Sequence, residues 1–335
     1  MKIAMVGCGA VGSFYGAKLA RSGLEVHFLL RSDYQAVLRD GIKVQSFEGD
    51  FQIHPQCARL PEEIGPCDLV LIALKTTADR EYSRLLAPLL GENSVLATLQ
   101  NGLGNEEKLH DLFPGQPVIG GLCFVCLNRV APGVIVHLDH GQVVVGDFTP
   151  VRSDLGAEKL ARLFRGAGVP ASTTENLRLT RWEKLAWNIP FNGLGVASAA
   201  GLECVLRGSV PSGFHLRRCL TTDQLLAAPE WCSLVRELMV EVIGAARSLG
   251  LSIADGLADK LMDHTKTMGA YKASTVVDFE RRNPLELESI FLEPLRRARS
   301  VGKEMPRLSA LCKVLQELDN RQEAANPSTA ASKMP

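Results

Sequence analysis

The strongest constraint on the fold is a run of three glycines, Gly7-Cys8-Gly9-Ala10-Val11-Gly12, set between a short apolar stretch and a helical pattern. Lys2–Val6 has the length and β-branched character of a strand, and Val11–Ser22 has helical periodicity closed by Gly23. Gly7 suits a tight turn out of the strand. Gly9 lets a ligand reach the backbone, and Gly12 lets the helix pack close against the strand. The helix start also offers unpaired N–H groups and a partial positive charge, which together favour a pyrophosphate. A glycine run of this spacing is weak alone. Its place between a strand and a helix is the context that gives it meaning.

The pattern continues in the same manner. Glu25–Leu30 reads as a second strand, and Ile42–Phe47 with Phe51–His54 as a hairpin. Asp68–Leu74 is an almost unbroken apolar run, as expected of a parallel strand covered on both faces. Ala78–Leu90 reads as a helix and Ser94–Leu99 as a strand. Val118–Val125, Val134–Leu138 and Gln142–Gly146 complete a strand-rich region. This alternation predicts an α/β fold: an N-terminal Rossmann-type doubly wound parallel sheet. Beyond it the pattern is almost wholly helical, with Leu234, Leu238, Val242, Ala245 and Leu249 striping Trp231–Leu249. The expected organisation is a sheet domain over 1–175, an all-helical domain over 176–321 and a disordered tail over 322–335.

Composition narrows the function. The chain has 335 residues, enough for two domains with sizeable cores. Its 37 basic residues balance 37 acidic ones, so a broad nucleic-acid or membrane footprint is not expected. Ile3–Val6 is too short for a secretory apolar segment, and no apolar run approaches the ~20 residues of a membrane span. The nine cysteines are scattered and read as free thiols, which points to the cytoplasm. Cys123 and Cys126 form a C-x-x-C inside an apolar run with no second ligand pair. They read as buried thiols in a strand, and no metal is expected.

Arg31 follows the second strand, 19 residues after Gly12. Dinucleotide-binding proteins that take NAD carry an acid near this point to bond the ribose 2′-hydroxyl. An arginine there suits a 2′-phosphate, which a guanidinium can clamp with two bonds, so NADPH is the expected cofactor. Asp33 stands two residues further on and would work against such a phosphate. Lys75 and Asn101 each follow a strand, at the sheet edge where ligands bind in open α/β folds.

In the helical half, Lys184, Asn188 and Asn192 recur at intervals of four and share one helical face. Trp182, Leu185, Ile189 and Val196 occupy the other faces, and Pro190 interrupts the backbone ladder. The stripe is either a solvated polar face or a ligand-facing one. Ser274 precedes a short helical pattern and reads as its N-cap or as a ligand contact. Glu286 falls in the expected first turn of a helix opened by Pro284, where an acid favours the helix dipole in any protein. His137 and His140 read as surface or sheet-edge residues.

Taken together, these pieces resemble the ketopantoate reductase (2-dehydropantoate 2-reductase) family from Met1 to about Leu318. The resemblance rests on GCGAVG, Arg31, Lys75 in ALKT, Asn101 in LQNGLGNEE, the Lys184-x3-Asn188-x3-Asn192 spacing, and Ser274 with Asp278 and Glu286. It implies an NADPH-dependent reduction of a small 2-oxo acid, ketopantoate, in pantothenate and coenzyme A synthesis. Lys184 would be the general acid, and Asn188, Asn192 and Ser274, with Lys184, would hold the substrate. Gly7, Cys8, Gly9, Ala10, Val11, Gly12, Arg31, Lys75 and Asn101 would contact the cofactor. Glu286 would bind near the nicotinamide ribose and help place Lys184. Two alternatives stay open: a related reductase or dehydrogenase of another 2-oxo or 2-hydroxy acid, and a non-catalytic NADPH-binding protein. The expected partner is the small-molecule substrate, with a homodimer left open.

Overall fold

The computed structural model describes residues 1–150 and 154–325. The chain divides into two compact units, Met1–Leu177 and the part from Arg178 onward. In the first, the strands are β1 (Lys2–Val6), β2 (Glu25–Leu29), β3 (Ile42–Ser46), β4 (Phe51–Ile53), β5 (Gln56–Ala58), β6 (Cys67–Ile72), β7 (Leu90–Thr98), β8 (Val118–Ala131), β9 (Val134–Asp147) and β10 (Ala171–Thr173). They form one ten-stranded sheet in the order β4-β3-β9-β8-β7-β6-β1-β2-β5, with β10 beside β9. The centre, from β8 through β7, β6, β1 and β2 to β5, is parallel throughout. The β3–β4 and β8–β9 pairs are antiparallel.

Side-chain alternation places a core on each face of this sheet. Ile3 and Met5 of β1, with Leu69 and Leu71 of β6, join Phe14, Tyr15 and Phe164. Ala4, Val6, Val70 and Ile72 point the other way and join Tyr82, Leu86 and Leu109. Both sets come from unbroken apolar runs, which is why strands covered on both faces lack a polar alternation. Each fully buried large aliphatic or aromatic side chain contributes ~1.5–3 kcal/mol, so the central strands anchor the unit.

Several elements differ from expectation. The stretch expected as one helix over Ala78–Leu90 is instead a 3₁₀ turn (Thr76–Glu81), a short α-helix (Tyr82–Leu86) and a second 3₁₀ turn around Pro88. Pro88 has no N–H to continue a ladder. The strand expected over Val118–Val125 runs on to Ala131 as β8, and those expected over Val134–Leu138 and Gln142–Gly146 merge into β9, so that each is 14 residues long. Irregularities that leave Gly141, Leu138 and Val130 out of the pairing let the two strands run on past the polar Asp139 and His140. Cys123 and Cys126 are buried in β8. His137 is a correction: it lies 2% exposed, its ring near those of Phe14 and Phe47. It pairs with Ser46 Oγ at 2.9 Å and with the His140 carbonyl at 2.9 Å.

The second unit is helical. Its longest elements are Leu177–Ala197, which starts at the boundary, Pro229–Ser248 and Pro306–Ala325. Leu234, Leu238, Val242 and Ala245 are buried along the second of these. The segment between Gly201 and Pro229 contributes two short helices, Leu202–Arg207 and Thr222–Ala227. The last helix overruns the expected tail boundary at 322 and reaches Ala325. Arg321 binds the Val210 and Pro211 carbonyls at 3.1 and 3.0 Å, and Gln322 Nε2 donates to the Phe279 carbonyl at 2.9 Å. These tertiary bonds hold a stretch whose composition alone suggests disorder. Residues 326–335 of the expected tail lie outside the described residues. Among the described residues, no helix is long and apolar enough to cross a membrane.

Candidate active site

The register of the parallel strands brings the expected cofactor residues to one edge of the first unit. Val6 pairs with Leu29 on one side and Ile72 on the other, and Ile72 pairs with Thr98. The four strands therefore end level. The glycine turn follows the first, Arg31 the second, Lys75 the third and Asn101 the fourth. The chain leaves β1 toward β2 and later crosses to β6 on the opposite side. Such a reversal opens a crevice at the strand ends.

Each glycine in the turn has its own reason. Gly7 has φ +95°, and a β-carbon there would stand 2.3 Å from the Leu74 backbone nitrogen. A β-carbon at Gly12 would stand 2.3 Å from the Gly7 carbonyl oxygen. Gly9 differs, because a β-carbon there would meet nothing within 4 Å. That open space lies at the N-cap of the helix Ala10–Arg21, which has no side-chain cap and no acid in its first turn. An uncapped helix start facing open space, with Ala10 and Val11 in its first turn, fits a dinucleotide pyrophosphate. Cys8 turns inward, its Sγ 3.4 Å from the Leu29 carbonyl, and burial pushes its thiol far up. It has only its backbone to offer a ligand.

Arg31 is exposed and makes no ion pair among the described residues. Asp33, the acid that stood against a phosphate here, is 4% exposed and bound to Arg129. Lys75 is exposed and precedes the 3₁₀ turn Thr76–Glu81. Two residues not singled out from sequence shape this edge. Gln100 Nε2 donates to the Leu74 carbonyl at 2.8 Å, while its Oε1 accepts from Tyr82 Oη at 2.8 Å and Thr98 Oγ1 at 2.9 Å. It ties the Lys75 segment to the end of β7. Asn105 Nδ2 donates to the Asn101 carbonyl at 2.9 Å, fixing the loop that presents Asn101. Both are buried, the Gln100 bonds to Leu74 and Tyr82 are tertiary, and no local pattern singles either residue out.

In the second unit, the stripe on helix Leu177–Ala197 is not a solvated face. Asn188 is 7% exposed and Asn192 2%, with Lys184 half-buried. Burying a primary amide without compensation costs roughly 1–3 kcal/mol, so these amides answer to partners or ligands. Asn192 Oδ1 accepts from the Thr275 backbone N–H at 2.9 Å and from Ser274 Oγ at 3.3 Å. Ser274 is therefore not the N-cap expected. Ala273 takes that place, Ser274 opens the helix Ser274–Glu280, and the capping oxygen comes from Asn192 on another helix. Close packing holds this geometry. A β-carbon at Gly193 would stand 2.6 Å from Leu311 Cδ2 and 2.9 Å from Phe291 Cε1, and one at Gly195 would stand 2.5 Å from Val276 Cγ2.

Glu286 is 4% exposed and stands just before the first helical residue, Leu287, not inside the first turn of a helix opened by Pro284 as expected; its carbonyl accepts from Ile290 N–H at 3.4 Å. A π-helical turn, Glu288–Leu292, follows before the α-helix Glu293–Arg299. The segment is pinned on both sides. Leu285 N–H donates to Asp319 Oδ1 at 3.2 Å, and Asn283 N–H donates to the Asp278 carbonyl at 2.9 Å. Asn283 belongs to the turn that closes helix Ser274–Glu280, and helical structure resumes only at Leu287. Wide helical turns of this kind occur often at functional positions.

The level strand ends, the glycine turn and the helical unit with its buried amide stripe define a Rossmann-type α/β protein with a helical second unit. A family model described as ketopantoate reductase PanE/ApbA matches residues 3–150, and its C-terminal counterpart matches residues 216–319. A 2-dehydropantoate 2-reductase from Nostoc sp. is 38% identical over 329 residues, covering 96% of each chain. The crystal structure of 2-dehydropantoate 2-reductase from Geobacter metallireducens superposes with a TM-score of 0.85 at 44% identity, covering 95% of this chain and 99% of that one. The corresponding enzyme from Methylococcus capsulatus gives a TM-score of 0.82 at 30% identity, with 96% and 98% covered. The chain belongs to the ketopantoate reductase family.

Proposed function

We propose that this protein is an NADPH-dependent 2-dehydropantoate 2-reductase, with Lys184 as its general acid. The observation that carries the proposal is the buried stripe: two amides out of water on the same helical face as a lysine, one of them bonded to Ser274 and Thr275. Capping the neighbouring helix uses only the Oδ1 of Asn192; a lysine and two buried amides on one face suit a helix that also holds a small polar acid. When bound, NADPH supplies the hydride that reduces the ketone carbon.

The chain's own residues do the rest. The Lys184 ammonium stabilises the negative charge that grows on the ketone oxygen and donates its proton there. Asn188 and the Nδ2 of Asn192 donate hydrogen bonds to the substrate's oxygens. The Oδ1 of Asn192 is already engaged, which fixes the direction of its amide. Ser274 adds a hydroxyl beside it. Glu286 helps to place Lys184 and bonds the cofactor's ribose. Gly7, Cys8, Gly9, Ala10, Val11 and Gly12 receive the pyrophosphate through backbone groups and the helix start. Arg31 clamps the 2′-phosphate, and Lys75 and Asn101 complete the cofactor edge.

The test is NADPH oxidation with 2-dehydropantoate and a panel of other 2-oxo acids. The highest kcat/KM is expected for 2-dehydropantoate. A clearly higher value for another 2-oxo acid would reassign the substrate, and no turnover with any of them would end the enzymatic reading.

A further inference from the structure

The turn after β2 contains opposite demands. Arg31 and Ser32 are exposed there, yet Asp33 brings a carboxylate into the same turn. Both oxygens of that carboxylate are occupied. Arg129 Nε donates to Oδ2 at 2.8 Å, and a terminal nitrogen of Arg129 donates to Oδ1. Gly133 N–H donates to Oδ2 at 3.0 Å, and Ser32 Oγ donates to Oδ1 at 2.9 Å. Arg129 and Gly133 sit at the tip of the β8–β9 hairpin, far away in sequence. The tip backbone is itself confined: Gly133 has φ +70°, and a β-carbon there would stand 3.0 Å from the Gly41 carbonyl oxygen. Burial works to raise the Asp33 carboxyl, but Arg129, Gly133 and Ser32 outweigh it and hold the group below its usual range. Asp33 is therefore charged at neutral pH, and its charge is answered by Arg129.

An acid near the end of this strand selects the unphosphorylated cofactor by accepting bonds from the ribose 2′-hydroxyl and repelling a 2′-phosphate. Asp33 stands two residues past Arg31, in the same turn. We propose that Arg129 is a positioning residue for cofactor specificity: it turns Asp33 away from the ribose side and neutralises it, which leaves the turn selective for a 2′-phosphorylated dinucleotide. Arg129 acts through Asp33 and needs no contact with the cofactor. The proposal rests on the assignment of the 2′-phosphate to Arg31 above.

The experiment measures Kd for NADPH and for NADH by fluorescence titration on the full-length protein, as wild type and as Arg31→Ala, Arg129→Gln, Asp33→Asn and Arg129→Gln/Asp33→Asn. Circular dichroism of each variant checks its fold. Arg129→Gln is expected to weaken NADPH about tenfold, the scale of one unanswered charge near a phosphate, while NADH binding holds or improves. High salt should shrink that difference. Adding Asp33→Asn should restore the NADPH preference, because no carboxylate is left to repel. Asp33→Asn alone should keep or strengthen it, which keeps the test open if Arg129→Gln does not fold. Equal weakening of both cofactors in Arg129→Gln, or a lost preference in Asp33→Asn, overturns the proposal. If the wild type shows no NADPH preference, or Arg31→Ala keeps it in full, the Arg31 assignment fails and this proposal with it. If Arg31→Ala abolishes the preference and Arg129→Gln leaves it intact, only the role of Arg129 fails.

Discussion

Single residues separate folding from function most sharply in the glycine turn. Gly12→Ala would put a β-carbon 2.3 Å from the Gly7 carbonyl oxygen, so it should destabilise the protein by more than ~1 kcal/mol. Gly9→Ala meets open space and should keep a near-wild-type Tm, since an alanine at an N-cap costs at most about 1 kcal/mol relative to glycine. Its NADPH Kd should nonetheless rise at least about tenfold, because the methyl group occupies the space before the helix start that a pyrophosphate needs. Thermal melts and cofactor titrations on the two variants check the contrast. A Gly9→Ala protein that binds NADPH as tightly as wild type removes the pyrophosphate from this turn. Lys184 poses a different question. Lys184→Ala should lower kcat by at least ~10²-fold, the lower end of what a general acid contributes. NADPH affinity should stay within about twofold, since the glycine turn and Arg31 are untouched. Retention of more than about a tenth of kcat would take Lys184 out of the mechanism, and a matching loss of NADPH affinity would make it a cofactor residue.

At the scale of elements, the informative contact joins two helices. Helix Leu177–Ala197 lends the Asn192 side chain to cap helix Ser274–Glu280. Asn192→Ala leaves the Thr275 N–H buried without its acceptor and should cost ~1–2 kcal/mol, with a higher KM because Ser274 loses its anchor. Asn192→Asp keeps an acceptor oxygen at the helix start, where a negative charge is also favourable, so it should recover most of that stability. It loses the Nδ2 donor and faces an anionic substrate with a like charge, so its KM should stay high. Denaturant melts and steady-state kinetics on the pair separate the two roles of one amide. Equal stability in both variants would mean that the cap does not matter. The even spacing of Lys184, Asn188 and Asn192 was legible because it depends only on helical period. The partner of Asn192 was not, since Ser274 lies 82 positions away and its own local pattern suggested that it capped itself. Glu286 was misplaced for a similar reason. Proline followed by an acid is a sound local helix start, but the chain from Asn283 to Glu286 is non-helical, with Asn283 tied back to Asp278 and Leu285 to Asp319.

At the scale of the whole molecule, buried histidine adds a pH dependence. Burial pushes the pKa of His137 down, against the bond to the His140 carbonyl, which works to raise it. The unfolded chain then binds more protons than the folded one as the pH falls through the usual value near 6.5. The contribution is fully present above about pH 6.5 and is lost as the pH falls toward the lowered folded value. Tm should therefore drop more steeply between pH 7 and 5 in the wild type than in His137→Gln, whatever the offset between their curves. Parallel curves would show that His137 does not titrate differently on folding. The sheet edge that gathers the glycine turn, Arg31, Lys75 and Asn101 was readable in outline, because strand, turn and helix signals are local; that the four strands end level was decided by their register in the sheet. The alternation of apolar runs was enough to determine the doubly wound class, the helical character of the second half and the face shared by the lysine and asparagines. Tertiary structure alone decided that Asp33 turns to Arg129, that Gln100 ties two strand ends together, that His137 lies inside and that the last helix continues to Ala325. Those outcomes depend on partners tens of residues away, and a sequence pattern records the period of a face but not which distant group will satisfy a polar atom buried on it.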